Sequence, residues 1–370
     1  MDAVVAIPAL NPDVQLVELV DALHERGFTR FIVVDDGSGA EAQPVFQSLQ
    51  RRGVRVVRHA QNLGKGSALK TALAQMRFAY PDARCLVTVD ADGQHAPDDV
   101  VRVCRHAEAH PQALVLGTRD FSKRGVPMRS RIGNGFSALY FRMDTGVACP
   151  DTQTGLRVIP RSLFRLAIST KGARYDYEMS FLTAAAKGEH NIEMLPIRTV
   201  YRKGNTTSHF RTVHDSLLIY RTFVRFAGSS LACSLVDLAM FALLTAIVSL
   251  DTAVVVAAAT IVARMLSGML NFELNRSWSF AASGSMRGDA HAQAVRYGVL
   301  FVVQMLASMG LVTALSFLPV PLVAVKVLVD GLLFFVSHFV QKNWVFKANA
   351  RAVKPLVLKG GAHVRNARAA

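Results

Sequence analysis

The sequence predicts an α/β domain built on a mostly parallel sheet, followed by an all-α membrane domain of four transmembrane helices. Three observations carry this reading. Short apolar runs alternate with helical stretches over the first half of the chain. Four stretches of spanning length crowd the last third. The charge of +15, high for a 370-residue chain with a mean hydropathy of +0.27, is divided between segments.

The strand candidates are the runs at 4–7, 31–34, 54–57, 85–89 and 114–116, and the helical stretches lie near 14–26, 40–52, 67–79 and 97–109. In such sheets the ligand crevice lies beyond the carboxyl ends of the strands, so the polar residues after each run are the ones to read.

Residues 1–225 hold 30 basic and 22 acidic side chains, 226–346 only 6 and 5, and 347–370 hold 6 and none. The charge-poor segment marks the membrane region. Crossing about 30 Å of hydrocarbon takes around 20 apolar residues, and the stretches 226–250, 252–272, 297–317 and 322–340 qualify. The first and last connections carry no Lys or Arg, whereas the middle loop carries Arg276, Arg287 and Arg296 and the tail begins with Lys342 and Lys347. The positive-inside rule then places both termini and the first domain on the cytoplasmic face of the inner membrane. The opening residues, with Asp2 near the start, do not read as a signal peptide. Cys85, Cys104, Cys149 and Cys233 lie tens of residues apart and read as free thiols. The membrane region also repeats. Val224-Arg225-Phe226 opens a half that closes on Asn275-Arg276-Ser277-Trp278-Ser279-Phe280, and Val295-Arg296-Tyr297 opens one that closes on Gln341-Lys342-Asn343-Trp344-Val345-Phe346.

Chemistry concentrates after the apolar runs. Asp90-Ala91-Asp92-Gly93-Gln94 places two carboxylates and an amide oxygen on one tight turn, a donor set suited to Mg²⁺ or Mn²⁺ bridging a diphosphate. Asp35-Asp36 ends the second run, where an acid accepts hydrogen bonds from a ribose or base; the alternative is an ordinary turn closed on Ser38. Asn62-Leu63-Gly64-Lys65-Gly66 enters a helix, joining a helix N-terminus, close backbone approach and one positive charge.

Together with Ile7-Pro8-Ala9-Leu10-Asn11 and Asp151-Thr152-Gln153-Thr154-Gly155-Leu156-Arg157, these motifs resemble the dolichol-phosphate mannose synthase-like branch of glycosyltransferase family 2 over about 3–215. The closing segment 271–280 resembles the GtrA-like family of four-span membrane proteins over about 222–348. The resemblance implies a GT-A, Rossmann-like fold, a catalytic domain over 1–221 with amphipathic interface helices, a membrane domain over 222–348 and a basic tail over 349–370. It implies Pro8, Asn11, Asp35, Asp36, Lys65, Asp90 and Ala91 at the nucleotide sugar, and Asp90, Asp92 and Gln94 at the Mg²⁺ or Mn²⁺ ion.

The basic excess lies wholly in 119–225, which holds 18 basic and 8 acidic side chains against 12 and 14 in 1–118. A second anion is therefore expected there, either an acceptor phosphate or lipid headgroups. Nucleic acid fits poorly with four spans. Arg119, Lys123, Arg124, Arg129 and Arg131 flank an amphipathic helix with Ile132, Phe136, Leu139, Tyr140 and Met143 at helical spacing. Its apolar face lies on the membrane surface or packs on the domain's own core. Phe210, Val213, Leu217 and Tyr220, with Arg211, Arg221 and Arg225, form a second such stretch. The resemblance puts Arg119, Arg131, Ser137, Arg202 and Lys203 at the acceptor phosphate, and makes Asp92, Arg119 and Arg131 the catalytic set.

The implied reaction moves a hexose, with inversion, from a UDP-glucose or GDP-mannose type donor to a polyprenyl phosphate. The acceptor phosphate has a second pKa of about 6 and needs no general base. Two alternatives stay open. One is transfer to a glycan or protein hydroxyl, with Glu178 essential at the place of a catalytic acid rather than a structural residue that starts a helix. The other is translocation of lipid-linked sugar past Asp237, Arg264, Lys326, Asp330 and His338, of which Asp237 pairs with Arg264 and Lys326 with Asp330 as interhelical or i,i+4 glue if the spans are only an anchor. The sequence leaves self-association open.

Overall fold

The apolar runs become strands, and all but the run at 54–57 are buried on both faces, as central parallel strands are. The computed structural model describes residues 1–122, 126–198, 212–248, 253–281, 286, 288–317 and 319–347. The chain divides into two compact units, Met1–Arg221 and Thr222–Ala370.

In the first unit β1 (Ala3–Ala9), β2 (Phe31–Asp35), β3 (Arg55–Arg58), β4 (Cys85–Thr88), β5 (Leu114–Arg119), β6 (Arg157–Pro160) and β7 (Ile192–Ile197) form one sheet in the order β3-β2-β1-β4-β6-β5-β7. All pairings are parallel except those of β6, which runs antiparallel to both β4 and β5. Side chains alternate across the sheet. Ala3, Val5 and Ile7 of β1 join the core that buries α1 (Gln15–Glu25), α2 (Gln43–Arg51) and α4 (Pro97–Ala109). Val4 and Ala6 join the opposite core with α3 (Lys65–Ala79), α6 (Phe164–Ser169) and α7 (Asp176–Lys187). In α1 the buried residues Leu16, Val17, Leu19, Val20 and Leu23 follow the helical period.

The register pairs Ala9 with Asp35, Asp35 with Arg58 and Ala6 with Thr88, so the ends of β1, β2 and β4 open on one edge. The strand order reverses between β1 and β4, which makes that edge the switch-point crevice. Strands β6 and β7 were absent from the sequence expectation.

The helix α5 (Met128–Thr145) divides its apolar residues between the two expected roles. Tyr140 and Phe141 are buried, whereas Met128, Ile132, Phe136 and Leu139 are exposed. Tyr220, just after α8 (Thr212–Ile219), packs edge-on against Phe136 and Tyr140.

The second unit holds α9 (Arg221–Val248), α10 (Ala253–Leu274), α11 (Ala290–Leu315) and α12 (Leu322–Val340). Among the described residues three segments are long and apolar enough to cross a bilayer: Arg221–Ile247, Ala290–Leu315 and Ala324–Val345. The 22-residue α10 is not among these three, so the fourth expected span stays a proposal.

The sequence repeat is also a structural one. Each half closes on a π turn, Asn275–Ser279 and Gln341–Val345. Arg225 donates to the Trp278 carbonyl at 3.4 Å, and Arg296 donates to that of Trp344 at 3.2 Å. Across the halves, Phe226 meets His338 at 5.1 Å while Phe272 meets Tyr297 at 5.5 Å, and Phe280 stacks on Phe346. On this seam the buried Asn275 amide donates to the Gln341 side-chain oxygen at 3.0 Å and accepts from Ser229 at 2.6 Å. The ionisable residues within the helices pair as glue would: Asp237 with Arg264 at 3.4 Å and Lys326 with Asp330 at 2.7 Å.

Candidate functional site

At the crevice edge β4 runs into the turn carrying Asp90, Ala91, Asp92 and Gln94, after which α4 begins at Pro97. The backbone N–H of Gln94 donates to Asp92 Oδ1 at 3.1 Å. Asp90 receives Lys65 Nζ on Oδ1 at 2.7 Å, and the buried His95 Nε2 lies 3.4 Å from Oδ2. Gly155 makes room for this carboxylate, since a Cβ there would collide with it. Ala91 packs partly buried against the first core.

Lys65 opens α3 between two glycines held tightly against the start of α7. A Cβ on Gly64 would strike Ala173, and one on Gly66 would strike Tyr177. The same approach brings Lys65 Nζ to 2.9 Å from Glu178 Oε1, and the Tyr175 ring centroid lies 5.7 Å from the ammonium. Burial works against the Lys65 charge, but the facing Asp90 and Glu178 carboxylates hold its pKa above the usual lysine value. Burial likewise opposes the Asp90 charge, yet Lys65 and His95 hold that carboxyl well below the usual range. Asp92 is pushed the other way, first by burial and then by the neighbouring Asp90 charge.

Asp35 and Asp36 build the rim of the crevice. Asp35 accepts the Ser38 N–H at 2.8 Å, the turn bond that was the alternative reading, and pairs with Arg58 at 3.3 Å. Asp36 accepts from Leu63 N at 2.9 Å and Gly64 N at 2.8 Å and meets His59 Nδ1 at 2.7 Å. Both acids are buried, and Asp36 thereby fixes the glycine loop that aims Lys65. Asn11 has φ 45°, donates its backbone N–H to Ser38 Oγ at 2.8 Å and accepts the Gly39 N–H on Oδ1 at 2.9 Å. Pro8 lies in β1, paired in register with Val34.

The structure brings together Asp90, Asp92, Gln94 and Lys65, and it adds Glu178 and His95. Arg119 lies at the end of β5, where Asp151, fully buried, grips it in a forked pair with Nε–Oδ2 2.7 Å and Nη2–Oδ1 3.1 Å. Arg131 on α5 is exposed and donates from Nε to the Phe121 carbonyl at 3.2 Å. Ser137, on the same helix, is buried with its hydroxyl 2.7 Å from that of Thr152. Arg202 and Lys203 lie outside the described residues, as do Lys123 and Arg124.

Among the described residues no three His, Cys, Asp or Glu side chains converge as a metal cage. The chemistry of the Asp90, Asp92 and Gln94 set nonetheless fits a hard divalent ion, because Mg²⁺ is commonly held by one or two carboxylates, with substrate phosphate and water completing the shell. The mutual repulsion of Asp90 and Asp92 is what such an ion relieves.

The family model for glycosyl transferase family 2 matches residues 4–165, and that for the GtrA/DPMS transmembrane domain matches 204–346. An uncharacterized protein of Methanocaldococcus jannaschii is 31% identical over 202 residues, covering 53% of this chain and 81% of the relative. The UDP-N-acetylglucosamine–dolichyl-phosphate N-acetylglucosaminyltransferase of Methanococcus voltae is 29% identical over 245 residues, covering 61% and 96%. The polyprenol monophosphomannose synthase of Mycolicibacterium smegmatis is 27% identical over 212 residues, covering 54% and 77%.

Proposed function

We propose, from the premise that the chain belongs to glycosyl transferase family 2 and carries a GtrA/DPMS transmembrane domain behind its catalytic one, that it transfers a hexose from a nucleotide-diphosphate sugar to a polyprenyl phosphate. The observation that carries the acceptor class is α5. Its exposed apolar residues Met128, Ile132, Phe136 and Leu139 share a helix with the exposed Arg129 and Arg131, the pairing of apolar surface and positive charge that an anionic lipid requires. The relatives named for dolichyl phosphate and polyprenol support the same class.

In this reading the switch-point crevice holds the donor. Asp92 and Gln94, with Asp90 beside them, hold Mg²⁺ or Mn²⁺, which supplies charge stabilisation to the departing diphosphate. Asp35, Asp36, Pro8, Asn11 and Ala91 shape the nucleotide subsite. Arg119, rigid on Asp151, and Arg131 orient the acceptor phosphate, together with Arg202, Lys203 and Ser137. The phosphate oxygen attacks the anomeric carbon directly, and a single displacement inverts that centre. Glu178 Oε1 lies 2.9 Å from Lys65 Nζ, an engagement that disfavours its use in transfer to a hydroxyl. Both termini and the catalytic unit face the cytoplasm, and α10 forms a fourth span.

Membranes containing the full chain, incubated with labelled UDP- and GDP-sugars and a polyprenyl phosphate, are expected to give divalent-dependent label in the organic phase. Absence of lipid-linked product from every donor would overturn the reading. Gly155→Ala is expected to lower that transfer by about a hundredfold, because the added methyl displaces the Asp90 carboxylate and misplacement by about 1 Å costs this much. The comparison is made at equal amounts of folded protein, judged by circular dichroism. Arg131→Ala is expected to raise the KM for polyprenyl phosphate by about tenfold and leave that for the donor unchanged, consistent with the loss of one charge-assisted contact. Parallel titrations of the two substrates would show it.

A further inference from the structure

The start of an α-helix repels cations, because its unpaired N–H groups carry partial positive charge. Lys65 nevertheless occupies the first residue of α3 with its side chain only 15% exposed. Helix formation does not ask for a lysine there. Its position is fixed by the two flanking glycines, which press the start of α3 onto Ala173 and Tyr177 and so bring Nζ within 2.7 Å of Asp90 and 2.9 Å of Glu178. Asp90, Asp92 and Glu178 against Lys65 leave two negative charges uncompensated in one small crevice. His95 Nε2 lies 3.4 Å from the other oxygen of Asp90.

We infer that Lys65 is the donor site's resident counter-cation, exchanged for the divalent ion at Asp90 when donor binds and kept at the site by Glu178, which turns it into a ligand for the diphosphate. This deepens the glycosyltransferase reading above and rests on it. Two cations cannot share one carboxylate without repulsion. The ion on its own therefore competes with Lys65 for Asp90. With a diphosphate present the displaced ammonium gains an anionic partner, and competition becomes cooperation. Glu178 acts as a positioning residue: it holds the ammonium in place after Asp90 has let go.

The test is Mn²⁺ binding to the purified full chain, read by the electron paramagnetic resonance signal of free Mn²⁺, with and without UDP or GDP. In the absence of nucleotide, Lys65→Met is expected to bind Mn²⁺ about tenfold more tightly than the parent protein, and Glu178→Gln about threefold more weakly. Adding the nucleotide is expected to tighten Mn²⁺ binding by more than about tenfold in the parent and hardly at all in Lys65→Met. A purely structural role for Lys65 would weaken binding in both variants under both conditions. Lys65→Gln, which keeps hydrogen-bonding capacity, repeats the measurement should Lys65→Met not fold. Nucleotide-free affinity of the Lys65 variants equal to or weaker than that of the parent would overturn the exchange while leaving the glycosyltransferase reading intact. A parent protein that binds no Mn²⁺ with either nucleotide would overturn both.

Discussion

Asp92→Asn is expected to lose about a thousandfold in kcat/KM for divalent-dependent transfer, about 4 kcal/mol of transition-state stabilisation, while gaining thermal stability in the absence of metal. The two effects have one cause. Asp92 is half-buried beside Asp90, and burial followed by that neighbouring charge pushes its pKa up, so the ionised form strains the folded state at neutral pH. The amide removes the repelling charge and keeps the shape of the turn, including an oxygen for the Gln94 N–H. The donor set proposed for the ion is small, two carboxylates and an amide, so losing one charge leaves little to hold it. Differential scanning calorimetry with and without Mn²⁺ separates the contributions: the parent is stabilised by the ion through linkage, and the variant starts higher and does not respond. A variant that retains full activity would remove Asp92 from the ion's shell. Asp90→Asn is expected to behave differently, because it also deprives the buried Lys65 of a partner and should lower stability.

Arg157→Lys is expected to destabilise the catalytic unit by about 3 kcal/mol or more, lowering Tm by about 10 °C. Arg157 is buried in β6, and its guanidinium reaches three carbonyls at once: Nε to Thr154 at 2.9 Å, Nη1 to Glu178 at 2.8 Å and Nη2 to Thr152 at 3.0 Å. A lysine ammonium cannot reproduce that planar fork, and each buried acceptor left without a donor costs about 1–3 kcal/mol. The carbonyls belong to the segment under the crevice and to the first turn of α7, so the loss should reach the site as well. Thermal unfolding followed by circular dichroism measures the stability, and a Tm within about 2 °C of the parent would show that the three bonds are dispensable. The arginine of the 151–157 motif is thus a brace beneath Asp90 and Glu178, a role its sequence context does not announce.

What the sequence made legible was local. The Asp90–Asp92 turn and the glycine loop each lie within six residues, and both were placed at the crevice edge by the runs that precede them. The parallel strands β1, β2, β4 and β5 were visible for the same reason, as runs of three or more apolar residues, and β3 showed as the valines around Arg55. β6 was not, because its four residues begin with Arg157 and end with Pro160 and show no run at all. The work of Asp36 was hidden by distance: its partners at 59, 63 and 64 come from the next strand and loop. Glu178 was noticed but left open as a catalytic acid or a structural residue starting a helix. Its pairing with Lys65 depends on α3 and α7 packing closely, and the only trace of that in the sequence is the pair of glycines around the lysine. The division of α5 between exposed and buried apolar residues likewise follows from tertiary packing, Phe141 in the second core and Tyr140 against Tyr220, which helical spacing alone does not reveal.

The two hairpins of the membrane unit meet through equivalent residues, Phe226 with His338 and Phe272 with Tyr297, around Phe280 and Phe346. Such a unit is a dimer written on one chain. A single hairpin would bury the same seam by associating with a copy of itself, and fusion makes that association permanent at any concentration. Fusion also frees the halves to diverge. Ser229 in the first occupies the place of Leu300 in the second, and Asn275 that of Gln341, so the Ser229 bond to Asn275 has no counterpart at Leu300, and the amide bond from Asn275 to Gln341 joins two different side chains. A symmetric pair of identical hairpins could not distinguish its two sides. This unit can, and the catalytic unit is joined in sequence to its first half.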